Sequence, residues 1–430
     1  MSMNGRRVAV VRGLRTPFAK AGTAYAQLDA LELGKIVVAE LLQRSEIDPK
    51  SVEEVVFGTV IPSVKAANIA REIVLGIGLP RSVPGYTVSR ACASSNQAIT
   101  SGADLIFRGY ADTVIAGGAE SLSSVPILFS RRFSDTLMRA SKEKTLPGKL
   151  KHFAAVRPRD LAPETPAIAE SSTGLTMGES AEKMAKENGI SREAQDRFAL
   201  QSHHRAAAAT SSGRFADEVM TVIVPPKFDN VFSKDNLIRE DTSLDSLAKL
   251  RPVFDRKYGT ITAGNASPLT DGASAVLLMS EEKAKSLGLK PIGFIKSYAY
   301  ASLDPFDQLL QGPAFATPVA LDRAGLKLKD IGVIEMHEAF AAQVLSNIQW
   351  LGSKKFATER LGRTEAVGDV DPEKINRTGG SIAIGHPFGA TGARIVTTVC
   401  NELQRTGEQY GLLTVCAAGG QGVAMVMERD

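Results

Sequence analysis

Apolar residues follow two rhythms along this chain. Short runs bounded by glycine and polar residues read as strands, and longer stretches with apolar positions three and four apart read as helices. Strands are predicted at 7–11, 52–57, 112–116, 275–279, 292–298, 331–336 and 411–415. Helices are predicted at 30–44, 92–108, 178–188, 192–211, 317–324, 339–352 and 389–405. The two kinds alternate, which predicts an α/β fold of packed layers. Laid over one another, the two ends of the chain echo. The turn Ile47-Asp48-Pro49-Lys50 before strand 52–57 matches Leu326-Lys327-Leu328-Lys329 before strand 331–336. Each end also holds a helix that starts from a cysteine- or glycine-led turn, then a strand closing on paired glycines, Gly117-Gly118 and Gly419-Gly420. Two copies of one α/β unit facing each other would explain this.

Residues 121–250 break the pattern, with prolines at 158, 163 and 166. The chain is therefore expected to divide into a first half (1–120 and 251–290), a loop or cap domain (121–250) and a second half (291–430). Within the cap, residues 130–160 carry nine lysines and arginines against three carboxylates. Phe133, Leu137, Met138, Leu146, Leu150 and Phe153 are spaced roughly as on one helical face. Such a stretch suits an anionic membrane surface, a phosphate-bearing ligand, a partner subunit or plain solvent.

Composition removes whole classes. With 43% hydrophobic and 23% charged residues the 430-residue chain is neither disordered nor fibrous. A balance of 51 basic against 47 acidic residues is too even to argue for nucleic acid. Three cysteines, Cys92, Cys400 and Cys416, point to a reducing compartment where each is packing or chemistry. No secretory signal is evident and no apolar run of about 18 residues occurs, so a cytoplasmic location is expected.

Cys92 lies among small residues, Ser89-Arg90-Ala91-Cys92-Ala93-Ser94-Ser95-Asn96, as a helix pattern begins. Helix N-termini present unpaired N–H groups that favour a thiolate, so a lowered thiol pKa is expected. Alone, the pattern also suits a small buried hydrophobe. His386 sits in Gly385-His386-Pro387-Phe388-Gly389, inside a glycine-rich segment that begins at Gly379-Gly380. Such a loop can hold an imidazole while admitting a ligand to the main chain. Its glycine spacing matches neither a dinucleotide fingerprint nor a P-loop. Cys416 follows an apolar strand and precedes Ala417-Ala418-Gly419-Gly420, a place for an acid/base or an inert thiol. His337-Glu338-Ala339-Phe340 ends a strand and opens a helix, but Ala341 rules out the zinc motif H-E-x-x-H, and no metal site is supported. His203-His204 reads as a surface pair and Cys400 as core. Residues 262–273, with Asn265-Ala266-Ser267, form a small polar loop against which a flat ligand can lie.

Together and in this order, these five segments resemble the thiolase family over nearly the whole chain. The His-Glu-Ala-Phe form, the basic stretch and the extra segment 353–376 look most like the β subunit of the fatty-acid oxidation complex, the trifunctional protein of mitochondria. The resemblance implies a duplicated α-β-α-β-α sandwich with an inserted loop domain, each half built on five strands. It implies thiolytic cleavage of 3-ketoacyl-CoA in β-oxidation, with coenzyme A as co-substrate and no permanently bound cofactor. By motif, Cys92 is the acyl-accepting nucleophile, His386 its base and Cys416 the acid/base. His337 stands where most thiolases have asparagine and is expected to organise the oxyanion site directly. The N–H groups of Cys92 and Ala418 would hold an oxyanion, Ala417 and Ala418 standing where glycines are usual. Asn265, Ala266, Ser267, Met177 and Phe340 would meet the CoA ester. Partners implied are a second copy (a homodimer or a dimer of dimers), a hydratase/3-hydroxyacyl-CoA dehydrogenase α subunit, and peripheral membrane contact through 130–160. A biosynthetic acetoacetyl-CoA thiolase or a ketoacyl-synthase-like condensing enzyme is the alternative in this fold, and a non-enzymatic CoA-ester or lipid carrier the alternative in another class.

Overall fold

The computed structural model describes residues 6–164 and 169–430. The chain divides into a large unit, within 1–124 and 170–430, and a small one, Val125–Ala169. Nine strands follow one path through the large unit. They are β1 (Val8–Arg15), β2 (Glu54–Gly58), β3 (Gly85–Val88), β4 (Thr113–Glu120), β5 (Thr270–Ser280), β6 (Gly293–Ser302), β7 (Val333–Met336), β8 (Tyr410–Ala417) and β9 (Gln421–Glu428). Their order is β7-β8-β9-β6-β1-β5-β4-β2-β3, and the two-residue strand Ala19–Lys20 pairs beside β5.

The path is a repeat. In the first half β2 runs parallel to β3 and β4, β4 is antiparallel to β5, and β5 is antiparallel to β1. In the second, β7 runs parallel to β8, β8 is antiparallel to β9, and β9 is antiparallel to β6. Even the irregularities correspond: the register shifts between Val10 and Arg12 in β1 and between Ile295 and Ser297 in β6. Two details differ from an expectation of separate five-stranded sheets. The halves join edge to edge where Ala9 and Val10 pair with Phe294 and Gly293. A fifth strand in the second half shrinks to a single parallel bridge, Ile334 to Ile375. The cause is Asn376, whose backbone turns left-handed (φ 47°) and whose side chain bonds both the N–H and the C=O of Met336 at 2.8 and 2.9 Å. A side chain thus replaces the ladder there.

The helices used below are α1 (Ala30–Ser45), α2 (Ile69–Gly76), α3 (Ser94–Phe107), α4 (Arg131–Lys142), α5 (Leu146–Phe153), α6 (Met177–Glu187), α7 (Arg192–Ser211), α8 (Gly312–Ala324), α9 (Ala341–Leu351) and α10 (Thr391–Thr406). Strand residues alternate between two buried faces, as expected of a sheet covered on both sides. Val8, Val10, Val276 and Leu278 join the central cluster with α3, α10 and the inner face of β8, whereas Ala9, Leu277 and Met279 face α1 and α2. On the far side Leu412 and Val426 pack with α8 and α9. The layers are therefore helix, sheet, helix, sheet, helix, with α3 and α10 enclosed. Enclosure explains why α10, including Arg394 and Glu402, is buried over most of its length.

The small unit holds a two-stranded pair, Leu128–Phe129 with Pro163–Glu164, and the helical hairpin α4–α5. Its apolar residues do not share one face. Phe133 packs edge-on against Phe129 and Phe153, with ring centroids 5.2 and 6.4 Å apart. Met138, Leu146 and Leu150 remain more than half exposed, at 61%, 69% and 61%. Among the described residues no helix is long and apolar enough to cross a membrane.

Candidate active site

Four chain segments bring the chemistry together. Cys92 follows β3 in a tight turn. The Ser94 hydroxyl donates to the Ala91 carbonyl at 2.7 Å and accepts the Arg90 N–H at 2.8 Å. Ala91 is left-handed (φ 45°), a conformation that non-glycine residues adopt at a cost of about 1–3 kcal/mol. The strain presents Cys92 just ahead of α3, whose first helical residue is Ser94. Cys416 lies in β8 opposite Gly422, before a hairpin turn in which Gly419 and Gly420 take φ of 80° and 67°. His337 follows β7 and donates its N–H to the Thr414 carbonyl at 2.9 Å. His386 is held by its own N–H, which donates to the Thr270 hydroxyl at 3.0 Å.

Cys92 Sγ and one nitrogen from each of His337 and His386 lie within 4.8 Å of one another. The two imidazole centroids are 4.1 Å apart. Cys416 is near enough for charge on Cys92 to reinforce the effect of burial in pushing its thiol well up. The same N–H groups anticipated as oxyanion donors, those of Cys92 and Ala418, are near enough to pull the Cys92 thiol down, against the larger effect of burial.

The thiol itself departs from expectation. Burial pushes Cys92 up to about 12, against the pull of those two N–H groups. Lost hydration outweighs the helix field because the sulfur stands before the first turn rather than in it. The resting thiol is protonated and needs a base. His386 can serve, since burial, and next the Arg394 charge, hold it down to about 3 and keep the ring neutral. His337 is also lowered, by burial, then by His386 and Arg394.

The anticipated ligand contacts divide. Met177, Ala266 and Phe340 pack in one apolar cluster with Cys416. Ser267 is partly exposed, and its N–H donates to the Ala339 carbonyl at 2.9 Å. Asn265 is fully buried. Its amide donates to Asp196 at 2.9 Å and to the Thr260 carbonyl at 3.1 Å, and its oxygen accepts the Thr262 N–H at 2.8 Å. The Asn265 side chain therefore shapes the loop and has no free group for a ligand. His203 is a second correction: it is buried, accepts the Arg239 N–H at 3.2 Å, and is held down to about 4 by burial and by Arg239.

Several polar residues behind the site went unread. Glu120 accepts from the N–H groups of Val60, Ile61 and Gly389 at 2.9–3.0 Å and from Thr59, with burial pushing it up to about 7. It ties the end of β4 to the histidine loop. The approach is so close that a Cβ on Gly118 would lie 1.9 Å from the Gly389 carbonyl oxygen. Glu338 accepts from Ser202, Asn376 and the Ile382 N–H at 2.7–3.1 Å. Arg394 donates to Ser381 and Glu335. An arginine in an otherwise enclosed helix was the available signal.

Known proteins match the chain over nearly its whole length. Residues 8–282 match the thiolase N-terminal domain, and residues 289–429 the thiolase C-terminal domain. The chain belongs to the thiolase family. It is 53% identical to a 3-ketoacyl-CoA thiolase of Yersinia enterocolitica over 428 residues, covering 100% of this chain and 98% of the relative. A 3-ketoacyl-CoA thiolase of an Enterobacter species is also 53% identical, with the same coverage. Among solved structures, the Bacillus anthracis acetyl-CoA acetyltransferase superposes with a TM-score of 0.86 at 34% identity, covering 100% of both chains. Human mitochondrial 3-ketoacyl-CoA thiolase follows at 0.84 and 32%, covering 99% of each. The same human thiolase in complex with CoA gives 0.83. The thiolase fold anticipated from the motifs is the one observed.

Proposed function

We propose that the chain is a degradative thiolase, cleaving 3-ketoacyl-CoA with CoA into acetyl-CoA and a shortened acyl-CoA through an acyl-Cys92 intermediate. The observation that carries the reading is the thiol of a partly exposed cysteine facing two neutral imidazoles, with a second thiol and two backbone N–H groups nearby. Relatives bearing the name 3-ketoacyl-CoA thiolase support it.

The steps balance. His386 takes the Cys92 proton, and the thiolate adds to the ketone carbon. The N–H groups of Cys92 and Ala418 receive the tetrahedral oxyanion, each donor contributing about 2.7–4 kcal/mol in comparable sites. The bond between the α-carbon and the ketone carbon then breaks. The acyl group stays on Cys92, and acetyl-CoA leaves as an enolate whose oxygen is met by the imidazoles. Cys416 protonates the enolate carbon, then takes the proton of incoming CoA. The CoA thiolate attacks acyl-Cys92, the shortened acyl-CoA departs, and the Cys92 thiolate recovers its proton from His386. Cys416 favours this cycle over a ketoacyl synthase, which needs no second thiol.

The test is a series of thiolysis rates on 3-ketoacyl-CoA esters from four to sixteen carbons. Turnover of esters longer than acetoacetyl-CoA is expected. Turnover of acetoacetyl-CoA alone would favour the biosynthetic reading, and none at all the carrier.

The same reading includes the division into halves at 1–120 with 251–290 and at 291–430, a homodimer, and a hydratase/dehydrogenase partner. The small unit supports a docking role, because Met138, Leu146 and Leu150 stand exposed on a strongly basic hairpin. Replacing all three with aspartate is expected to cut co-purification with that partner, or binding to anionic vesicles, at least about tenfold without changing thiolysis. Full retention of both would remove the role.

A further inference from the structure

The two imidazoles differ in what stands behind them. Behind His337, Nδ1 lies 3.0 Å from the Ser381 hydroxyl oxygen. That oxygen also accepts from Arg394 at 3.0 Å, and a guanidinium can only donate. Among the described residues the hydroxyl hydrogen of Ser381 has one acceptor in reach, His337 Nδ1. The ring must then carry its own proton on Nε2. Behind His386 the arrangement is reversed. Nδ1 lies 2.6 Å from the Thr391 hydroxyl, whose hydrogen goes to the Pro387 carbonyl at 3.1 Å. Here Thr391 accepts, His386 carries its proton on Nδ1, and Nε2 keeps a free lone pair.

Both Nε2 atoms are buried and lack a protein partner, while the residues themselves are 1% and 3% exposed. A buried polar atom without a partner costs about 1–3 kcal/mol, so each is poised for something else. The hydrogen bond at one ring nitrogen decides what the other can do.

We propose that Ser381, steadied by Arg394, and Thr391 are positioning residues that hold His337 and His386 in opposite tautomers, one presenting a donor and the other an acceptor to the same reacting centre. This rests on the reading of Cys92 as nucleophile. His386 Nε2 accepts the Cys92 proton, and His337 Nε2–H donates to the enolate oxygen of departing acetyl-CoA. Burial, and after it the Arg394 charge, lowers both rings, so neither carries a second proton at rest at neutral pH. Arg394 is itself countered by Glu335 at 3.4 Å. Were both rings in one tautomer, the site would at rest hold two bases and no donor until Cys92 gave up its proton, or two donors without a base.

The direct test reads the parental enzyme. Nitrogen NMR of histidine-labelled enzyme, assigned by loss of signal in His337→Asn and His386→Asn, is expected to show His337 protonated on Nε2 and His386 on Nδ1 at pH 7. The same tautomer on both rings would overturn the proposal. In support, Thr391→Val is expected to slow Cys92 acylation about 100-fold with KM within about twofold. Ser381→Ala is expected to lower kcat about tenfold, again with KM held, and Ser381→Thr to restore part of it. Folded Ser381→Ala and Thr391→Val proteins with unchanged kcat would also defeat it. If Cys92→Ala still turns over, the underlying reading has failed. If that variant is dead and the tautomers match, only the positioning idea has.

Discussion

Replacing Cys92 with alanine is expected to lower kcat/KM for thiolysis by at least about 10⁴-fold and to abolish the acyl adduct seen by intact-protein mass spectrometry. No other described side chain can take its place. Cys416 is almost fully buried, its thiol is pushed well above the ordinary range, and it belongs to the apolar wall. Cys400 lies in the core on α10. The change removes one heavy atom from a partly exposed residue, so the melting temperature should move by only a few degrees. Near-native thiolysis by a folded Cys92→Ala enzyme would end the thiolase mechanism for this site.

Cys416→Ala separates the two halves of the cycle. Acetyl-CoA should still acylate Cys92, because His386 and the N–H groups of Cys92 and Ala418 are untouched. Exchange of the acetyl α-protons into deuterium oxide should fall about 10³-fold, within the range for loss of a positioned acid/base. Thiolysis should fall alongside it, since incoming CoA loses the same base. Burial stabilises the neutral thiol and holds the proton on Cys416 until an enolate arrives, and the thiolate left behind then takes the proton of incoming CoA. Exchange at the parental rate, with acylation intact, would assign the acid/base to another group.

Legibility followed local chemistry. Strand and helix positions could be read because β1, β5 and β8 alternate apolar residues between two buried faces, a pattern carried by neighbours in sequence. Cys92 and His386 stood out because each sits in a turn of small residues or glycine, and Cys416 and His337 because each marks the end of an apolar strand. What escaped depends on contacts across the fold. Nothing near Cys92 reports that its sulfur loses hydration, so the direction of its shift reversed. Asn265 looked like a ligand contact, but Asp196, which takes one of its amide hydrogens, lies on α7, distant along the chain from the Asn265 loop. Ser381 and Arg394 are separated in sequence by less than one helix length, yet their joint effect on His337 exists only because the end of the distant strand β7 brings that ring against Ser381. His203 appeared exposed because the segment that covers it, at Arg239, is distant along the chain.

The edge pairing of β1 with β6 has an evolutionary and practical consequence. One sulfur comes from the first copy of the repeat, the other sulfur and both imidazoles from the second. Neither copy alone contains a complete proton circuit. An ancestral single-copy protein could have run this reaction only as a pair of chains, and a modern chain nicked between Gly288 and Pro291 could do so only where its fragments find each other again along that seam.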